Sequence, residues 1–140
     1  MTELPPSLRT IIDDGPLTHL ATVEPDGTPQ VSVVWIARDG DDLLTGHMSR
    51  HRKVVNLKRD PRAVLSFLAP PEPGAFLQPY AVLRARATVT ADDGTWDLLD
   101  RLAKVYLGRE QEFPAPRGPG YVVRYRVERI TGVGPWAGGS

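Results

Sequence analysis

Leu17-Thr18-His19-Leu20-Ala21-Thr22-Val23, Gln30-Val31-Ser32-Val33-Val34-Trp35-Ile36-Ala37 and Leu43-Leu44-Thr45-Gly46-His47 follow one another with only short polar breaks between them. The runs are rich in β-branched, threonine and leucine residues, of the kind that suit a pleated, half-buried surface. Pro25-Asp26-Gly27 separates the first two runs and Asp39-Gly40 precedes the third, both with turn chemistry. Connections this short join antiparallel neighbours, since a parallel pair needs a much longer crossover. The stretch reads as three antiparallel strands.

Working outward, Pro5–Asp14 predicts a short helix with Leu8, Ile11 and Ile12 on one face, stopped by Gly15-Pro16. Beyond the meander a helix is expected over Arg50–Arg59, with Ser49 as a plausible N-cap and Asp60-Pro61 as its end. Ala63–Leu68 reads as a strand and the proline-rich Ala69–Gln78 as a loop. Tyr80–Thr90 alternates, with Val82, Arg84 and Arg86 on one face and Leu83, Ala85 and Ala87 on the other. A helix capped by Asp92 or Asp93 carries an apolar stripe of Trp96, Leu99, Ala103 and Tyr106 and ends at Gly108. Glu110–Gly120 is a loop and Tyr121–Val133 the last strand. About six strands and two or three helices result. A parallel sheet would need a helix between nearly every pair of strands, so the fold class is mainly β, an antiparallel barrel with flanking helices. The chain of 140 residues is expected to form a single domain, residues 1–140.

Composition narrows the function classes. The 17 basic and 17 acidic residues cancel, which argues against a nucleic-acid binder. Cysteine is absent, which removes thiol nucleophiles and cysteine zinc sites and points to the cytoplasm. No apolar run approaches the ~18 residues of a membrane span, and Met1–Ser7 lacks the pattern of a signal peptide. Among the basic residues only Lys53, Lys58 and Lys104 are lysines; with the many alanines, prolines and glycines, this usage suggests a GC-rich bacterial source. His19, His47 and His51 lack a metal-ligand spacing, so no metal site is expected. His19 reads as a core histidine. His47 is the best proton donor by residue type, with a structural or phosphate-side role favoured. The arginine pairs Arg84/Arg86 and Arg124/Arg126 read as a solvated or salt-bridged exterior rather than a groove for an anionic substrate.

Chemistry concentrates in Ser49-Arg50-His51-Arg52-Lys53-Val54-Val55-Asn56-Leu57-Lys58-Arg59-Asp60-Pro61. Three cations fall at a helix start, the positive end of the dipole, where each costs about 0.3–1 kcal/mol if exposed. Two readings stand: a solvated basic helix end, or a site where an anion offsets the crowding. Phosphate suits the second, because helix N-termini present free N–H groups and Arg and Lys grip phosphate oxygens.

The segment Arg52-Lys53-x-x-Asn56-Leu57-x-x-Asp60-Pro61-Arg62 resembles the signature of the pyridoxamine-phosphate-oxidase-like split β-barrels, which bind FMN. Leu20-Ala21-Thr22, Asp26-Gly27-x-Pro29-Gln30-Val31-Ser32 and Gly132-Val133-Gly134-Pro135-Trp136 add to the likeness, which runs in order from about Leu8 to Trp136. More narrowly the chain resembles the flavin/deazaflavin oxidoreductases of the B type, coenzyme F-420-dependent enzymes. The resemblance implies a homodimer with the cofactor between subunits. It implies that Arg52 and Lys53 bind the cofactor phosphate, with Arg50 and His51 extending the contact to an acidic tail. Gln30, Val31, Ser32 and Val33 would line the ring, as would Thr45, Gly46, His47 and Met48. Gln78 would reach it from the partner chain, and Trp136 would stack near it or simply close the barrel. The oxidases place an arginine where this chain has Gln30 or Val31, and end in a substrate-reading segment that Trp136–Ser140 does not match. Both departures favour the deazaflavin branch. The implied activity is hydride transfer from reduced F-420 to a small organic substrate, with an FMN oxidoreductase and a non-catalytic cofactor or heme carrier as alternatives.

Overall fold

The two edge strands of the sheet are neighbours in the sequence, and this fixes the shape. The computed structural model describes residues 2–49, 51–91, 94–108 and 119–137. Their strands are β1 (Thr18–Val23), β2 (Pro29–Val34), β3 (Ala37–Asp39), β4 (Asp42–His47), β5 (Arg62–Leu68), β6 (Tyr80–Ala91) and β7 (Tyr121–Val133). They form one antiparallel sheet in the order β2-β1-β5-β6-β7-β4-β3. Only Trp35 and Ile36 lie between β2 and β3. Laid flat, seven strands would put those edges about 29 Å apart, whereas three Cα steps reach only about 11 Å. The sheet must curl until its edges approach. No ladder joins them, so the barrel stays open: a split β-barrel, mainly antiparallel β.

The helices α1 (Pro6–Asp13), α2 (Arg52–Arg59) and α3 (Thr95–Tyr106) pack against this barrel. Leu8 and Ile12 of α1 and Leu57 of α2 enter a core made by the inward residues of the strands, among them Leu20, Leu43, Leu65, Leu83, Val123, Tyr125 and Val127. Side chains alternate along a strand, and β6 shows the expected split: Leu83, Ala85 and Ala87 are buried, Arg84 and Arg86 exposed. A second apolar cluster of Ala37, Leu98 and Leu102 seats α3, joined by Trp35, Leu44, Tyr106 and Val122.

The Gly132-to-Trp136 segment has a structural logic. Gly134 has φ +148°, and a Cβ there would lie 2.5 Å from the Trp136 indole. Trp136 thereby folds onto the core and donates from Nε1 to the Tyr80 carbonyl at 3.0 Å.

Four expectations need correction. The run Gln30–Ala37 is not one strand: it breaks at Trp35-Ile36, giving seven strands rather than six. The second helix starts at Arg52, with His51 rather than Ser49 as N-cap and no side-chain capping bond. The reason is local: His51 has the extended backbone of a cap, φ −59° and ψ 160°, and Ser49 lies two residues too early. His19 is exposed, because the register of β1 sends Thr18, Leu20 and Thr22 inward and His19 outward. The third helix has Gly94 as its N-cap; Asp92, Asp93, Arg50 and residues 110–118 of the expected loop lie outside the described residues.

Candidate functional site

The start of α2 faces a cavity of about 210 Å³. Val33 and Val34 of β2, Trp35 of the link, Gly46 and His47 of β4, Met48, His51, Lys53, and Leu99 and Leu102 of α3 line it. Each wall has a local cause. Trp35 stacks on Tyr106 with ring centroids 5.1 Å apart and planes 10° from parallel. The Tyr106 hydroxyl donates to the Pro16 carbonyl at 2.7 Å and accepts from the Ile36 N–H at 3.1 Å. The link between the sheet edges is thus pinned. Gly46 lets α3 come close: a Cβ there would sit 3.0 Å from Leu99 Cδ2 and 3.1 Å from its Cγ.

Lys53 is the least compensated charge in this cavity. It is partly buried, and no carboxylate or hydrogen-bond partner meets its ammonium among the described residues. Desolvation pushes its pKa below the ordinary lysine range. Arg52 and Lys53 are also the first two residues of α2, whose N–H groups have no intrahelical acceptor. No acidic residue occupies that first turn.

His47 lies deeper, only 4% exposed. Burial first, then the charges of Lys53 and His51, lowers its pKa to about 3. It is a neutral imidazole near pH 7 and has no excess proton to give. His47 Nε2 lies 2.7 Å from Thr45 Oγ1, which lies 2.8 Å from the Tyr125 hydroxyl. The structural role of His47 is therefore visible.

Arg52 behaves differently from Lys53. Its guanidinium donates to Glu24 Oε2 at 2.7 Å while its side chain stays 70% exposed. Glu24 also accepts from Asn56 Nδ2 at 3.1 Å, and these two bonds hold its carboxylate below the usual pKa range. Buried Asn56 donates to Thr22 Oγ1 at 3.0 Å, and Thr22 in turn donates to Gln30 Oε1 at 3.1 Å. Arg59 closes the network onto Asn56 and the Val23 carbonyl. Asn56 and Leu57 of the motif thus fasten α2 to β1, so the motif places Lys53 as well as supplying it. Asp60 caps the return, accepting from the Arg62 backbone N–H and guanidinium.

Of the candidate residues, the cavity gathers Val33, Gly46, His47, Met48, His51 and Lys53. Thr45 stands behind His47, and Arg52 and Gln30 belong to the adjacent network. Val31 is exposed on the outer face of β2, and Ser32 Oγ is buried with no hydrogen-bond partner among the described residues. Trp136 sits in the core, closing the barrel. Gln78 donates to the Ala69 carbonyl at 2.8 Å and lines a different cavity, with Thr10, Ile11 and Leu68. Arg50 is outside the described residues. Sequence reasoning missed Trp35, Leu99 and Leu102 as cavity walls, because an aromatic in a strand run and leucines on a helix stripe read as core.

A larger cavity of about 490 Å³ opens on the outer face of β1, β5 and β6, lined in part by Arg62, Arg84, Arg86 and Glu128. Arg62 is held by Asp60 at 2.7 Å, Arg86 lies 3.9 Å from Glu128, and Arg124 pairs with Asp39 and Asp42. Arg62, Arg86 and Arg124 are thus ion-paired on the exterior, while Arg84 and Arg126 are exposed and have no ion pair among the described residues. Among the described residues no cluster of three or more His, Asp or Glu side chains is placed to hold a metal ion. No helix among them is long and apolar enough to cross a membrane.

The donor set at α2 fits a phosphate-bearing group: a partly desolvated ammonium, two backbone N–H groups without an intrahelical acceptor, two imidazoles and, among the described residues, no opposing carboxylate in the cavity. The cavity, at about 210 Å³, is smaller than drug-sized ligand pockets, which run to about 300–1,000 Å³.

Comparison with known proteins follows the same line. An F420 reductase of known structure is 29% identical, with a TM-score of 0.76, covering 91% of this chain and 98% of that one. A conserved hypothetical protein from Mycobacterium tuberculosis is 18% identical, with a TM-score of 0.72, covering 94% of this chain and 85% of that one. A heme binding protein from Mycobacterium smegmatis is 22% identical, with a TM-score of 0.68, covering 89% of this chain and 51% of that one. The last two likenesses show the fold alone. No curated protein matches the sequence. The sequence pattern of the pyridoxamine 5'-phosphate oxidase family matches residues 4–134, and the chain belongs to that family.

Proposed function

We propose that the protein is a coenzyme F-420-dependent reductase of the deazaflavin branch, acting on a small organic substrate in the cytoplasm as a homodimer. One observation carries the reading: the Lys53 ammonium is partly desolvated and, among the described residues, without a counter-charge at the start of α2. The 29% identity to an F420 reductase over nearly both chains supports the cofactor choice. The bound cofactor would supply the hydride. Lys53 and the N–H groups of Arg52 and Lys53 would hold its phosphate. Arg52 would join by turning from Glu24, with Arg50 and His51 meeting further acidic groups. Val31, Ser32, Val33, Gly46 and Met48 would border the ring and keep water out.

The partner subunit would supply the missing wall. Val31 and Val33 are 57% and 53% exposed, and Leu17 and Leu68 are also exposed. Covering such a face by a symmetric copy is the usual solution. Gln78 would then contribute from the neighbouring chain.

The test is a parallel titration of purified protein with F-420 and with FMN, followed by Lys53→Ala. F-420 is expected to bind in the micromolar range or tighter and more tightly than FMN. The variant should lose about 10- to 100-fold, the worth of a hydrogen bond to a charged group. Preference for FMN would make the protein an FMN oxidoreductase of the same fold. Unchanged affinity in the variant would remove the assigned site.

A further inference from the structure

Tyr125 is fully buried, and its hydroxyl meets one partner among the described residues, Thr45 Oγ1 at 2.8 Å. Burial pushes its phenol above the ordinary range, so it keeps its proton. A buried O–H must donate somewhere, and Thr45 Oγ1 is the acceptor within reach. Thr45 is also buried, with a single proton of its own and two contacts, Tyr125 and His47. Since it accepts from Tyr125, its proton goes to His47 Nε2 at 2.7 Å. A nitrogen that accepts is unprotonated, and a neutral imidazole carries one N–H. The proton of His47 is therefore on Nδ1, which has no hydrogen-bond partner among the described residues.

Reversing the chain leaves a defect. If Nε2–H donated to Thr45 and Thr45 to Tyr125, the phenolic proton would be buried without an acceptor among the described residues, which costs the full desolvation of that group. The tautomer also matters to Lys53. His47 lines the cavity that Lys53 also lines; an unprotonated Nδ1 turned to it would offer the ammonium a lone pair, and a protonated one would add a second donor.

We propose that Thr45, backed by Tyr125, is a positioning residue that fixes His47 as its Nδ1–H tautomer, so that the cavity beside Lys53 presents donors and selects an oxygen acceptor of an anionic ligand. The selecting role rests on the anion site proposed above; the tautomer does not.

Nitrogen-15 NMR of the histidine side chains tests this in ligand-free protein at neutral pH, with His47→Gln to assign the ring. The expected pattern is a protonated Nδ1 and a pyridine-type Nε2; the opposite pattern overturns the proposal without any variant. Thr45→Val should populate the Nε2–H form, whereas Thr45→Ser and Tyr125→Phe, which both leave a hydroxyl with His47 Nε2 as its acceptor, should keep the wild-type pattern. A tautomer unchanged in Thr45→Val would show that the hydroxyl does not set it.

Inorganic phosphate serves as the probe for selection. It should perturb the His47 Nδ1–H resonance, and Thr45→Val should bind it about three- to tenfold more weakly, the loss of roughly one hydrogen bond. Phosphate that perturbs the Lys53 ammonium but not His47 would overturn the donor role while leaving the proposed cofactor site standing. Phosphate that perturbs neither would overturn both the selecting role and that site, with the tautomer still read independently.

Discussion

The Lys53 ammonium and the His47 imidazole line the same cavity, and the charge of Lys53 adds to burial in keeping His47 neutral. Lys53 stands where its solvation is reduced and nothing repays it, while His47 stays neutral because burial and its cationic neighbours disfavour imidazolium. An anion entering between them would relieve the strain on both.

Lys53→Met should therefore stabilise the ligand-free protein. The folded pKa of Lys53 lies below its unfolded value, so the folded state carries its proton less readily at any pH below that value, and the methionine removes this burden. With half of the side chain solvated the gain is under about 1 kcal/mol, a rise in Tm of up to about 3 °C. Thermal denaturation checks it, and the same variant should bind cofactor worse.

Acid should weaken the fold through His47 before it reaches the carboxylates. The histidine titrates at about 3 in the folded protein and at about 6.5 when unfolded. Its contribution is complete above pH 6.5 and falls as pH drops toward 3, about 2 kcal/mol being lost by pH 5. Urea melts at pH 7 and pH 5 should show this difference between wild type and His47→Gln, which has nothing to titrate. A parallel fall in both would place the acid sensitivity elsewhere.

Gly46→Val should both destabilise and close the site. The new side chain would meet Leu99 at the contact where α3 rests on β4. Overpacking of this kind costs about 1–3 kcal/mol. Denaturant midpoints measure the first effect and cofactor titration the second.

Val31→Asp with Val33→Asp should yield a monomer. Both valines face outward from edge strand β2, and two carboxylates on an apolar contact would have to be desolvated. Sedimentation reads the mass, and a dimer that survives both charges would place the contact elsewhere.

Much of this was legible in the residues. Tyr121–Val133 predicts the last strand to the residue, and the alternation in Tyr80–Thr90 assigns its buried face correctly. Both succeed because a period of two persists over a long run. The break at Trp35-Ile36 was hidden because β-branched residues continue on either side; what ends β2 is the turn of the chain to the far edge, a tertiary event. The basic segment drew attention to Lys53 by its charge, but nothing local revealed that Glu24, 28 residues earlier, would take Arg52 and leave Lys53 alone. His19 was misassigned because apolar neighbours suggest a core, whereas its parity on β1 decides. Thr45 and Tyr125 stand 80 residues apart, so their meeting behind His47 has no signature in spacing.

The seam where β4 meets β7, with Asp42 and Arg124 separated by 82 residues, carries a kinetic consequence. Pairing distant segments costs chain entropy before any contact rewards it, which makes such sheets slow to assemble. The cavity draws its walls from four separate regions and is complete only once that seam and α3 are in place. A ligand should therefore leave the refolding rate unchanged and slow the escape from the native state instead.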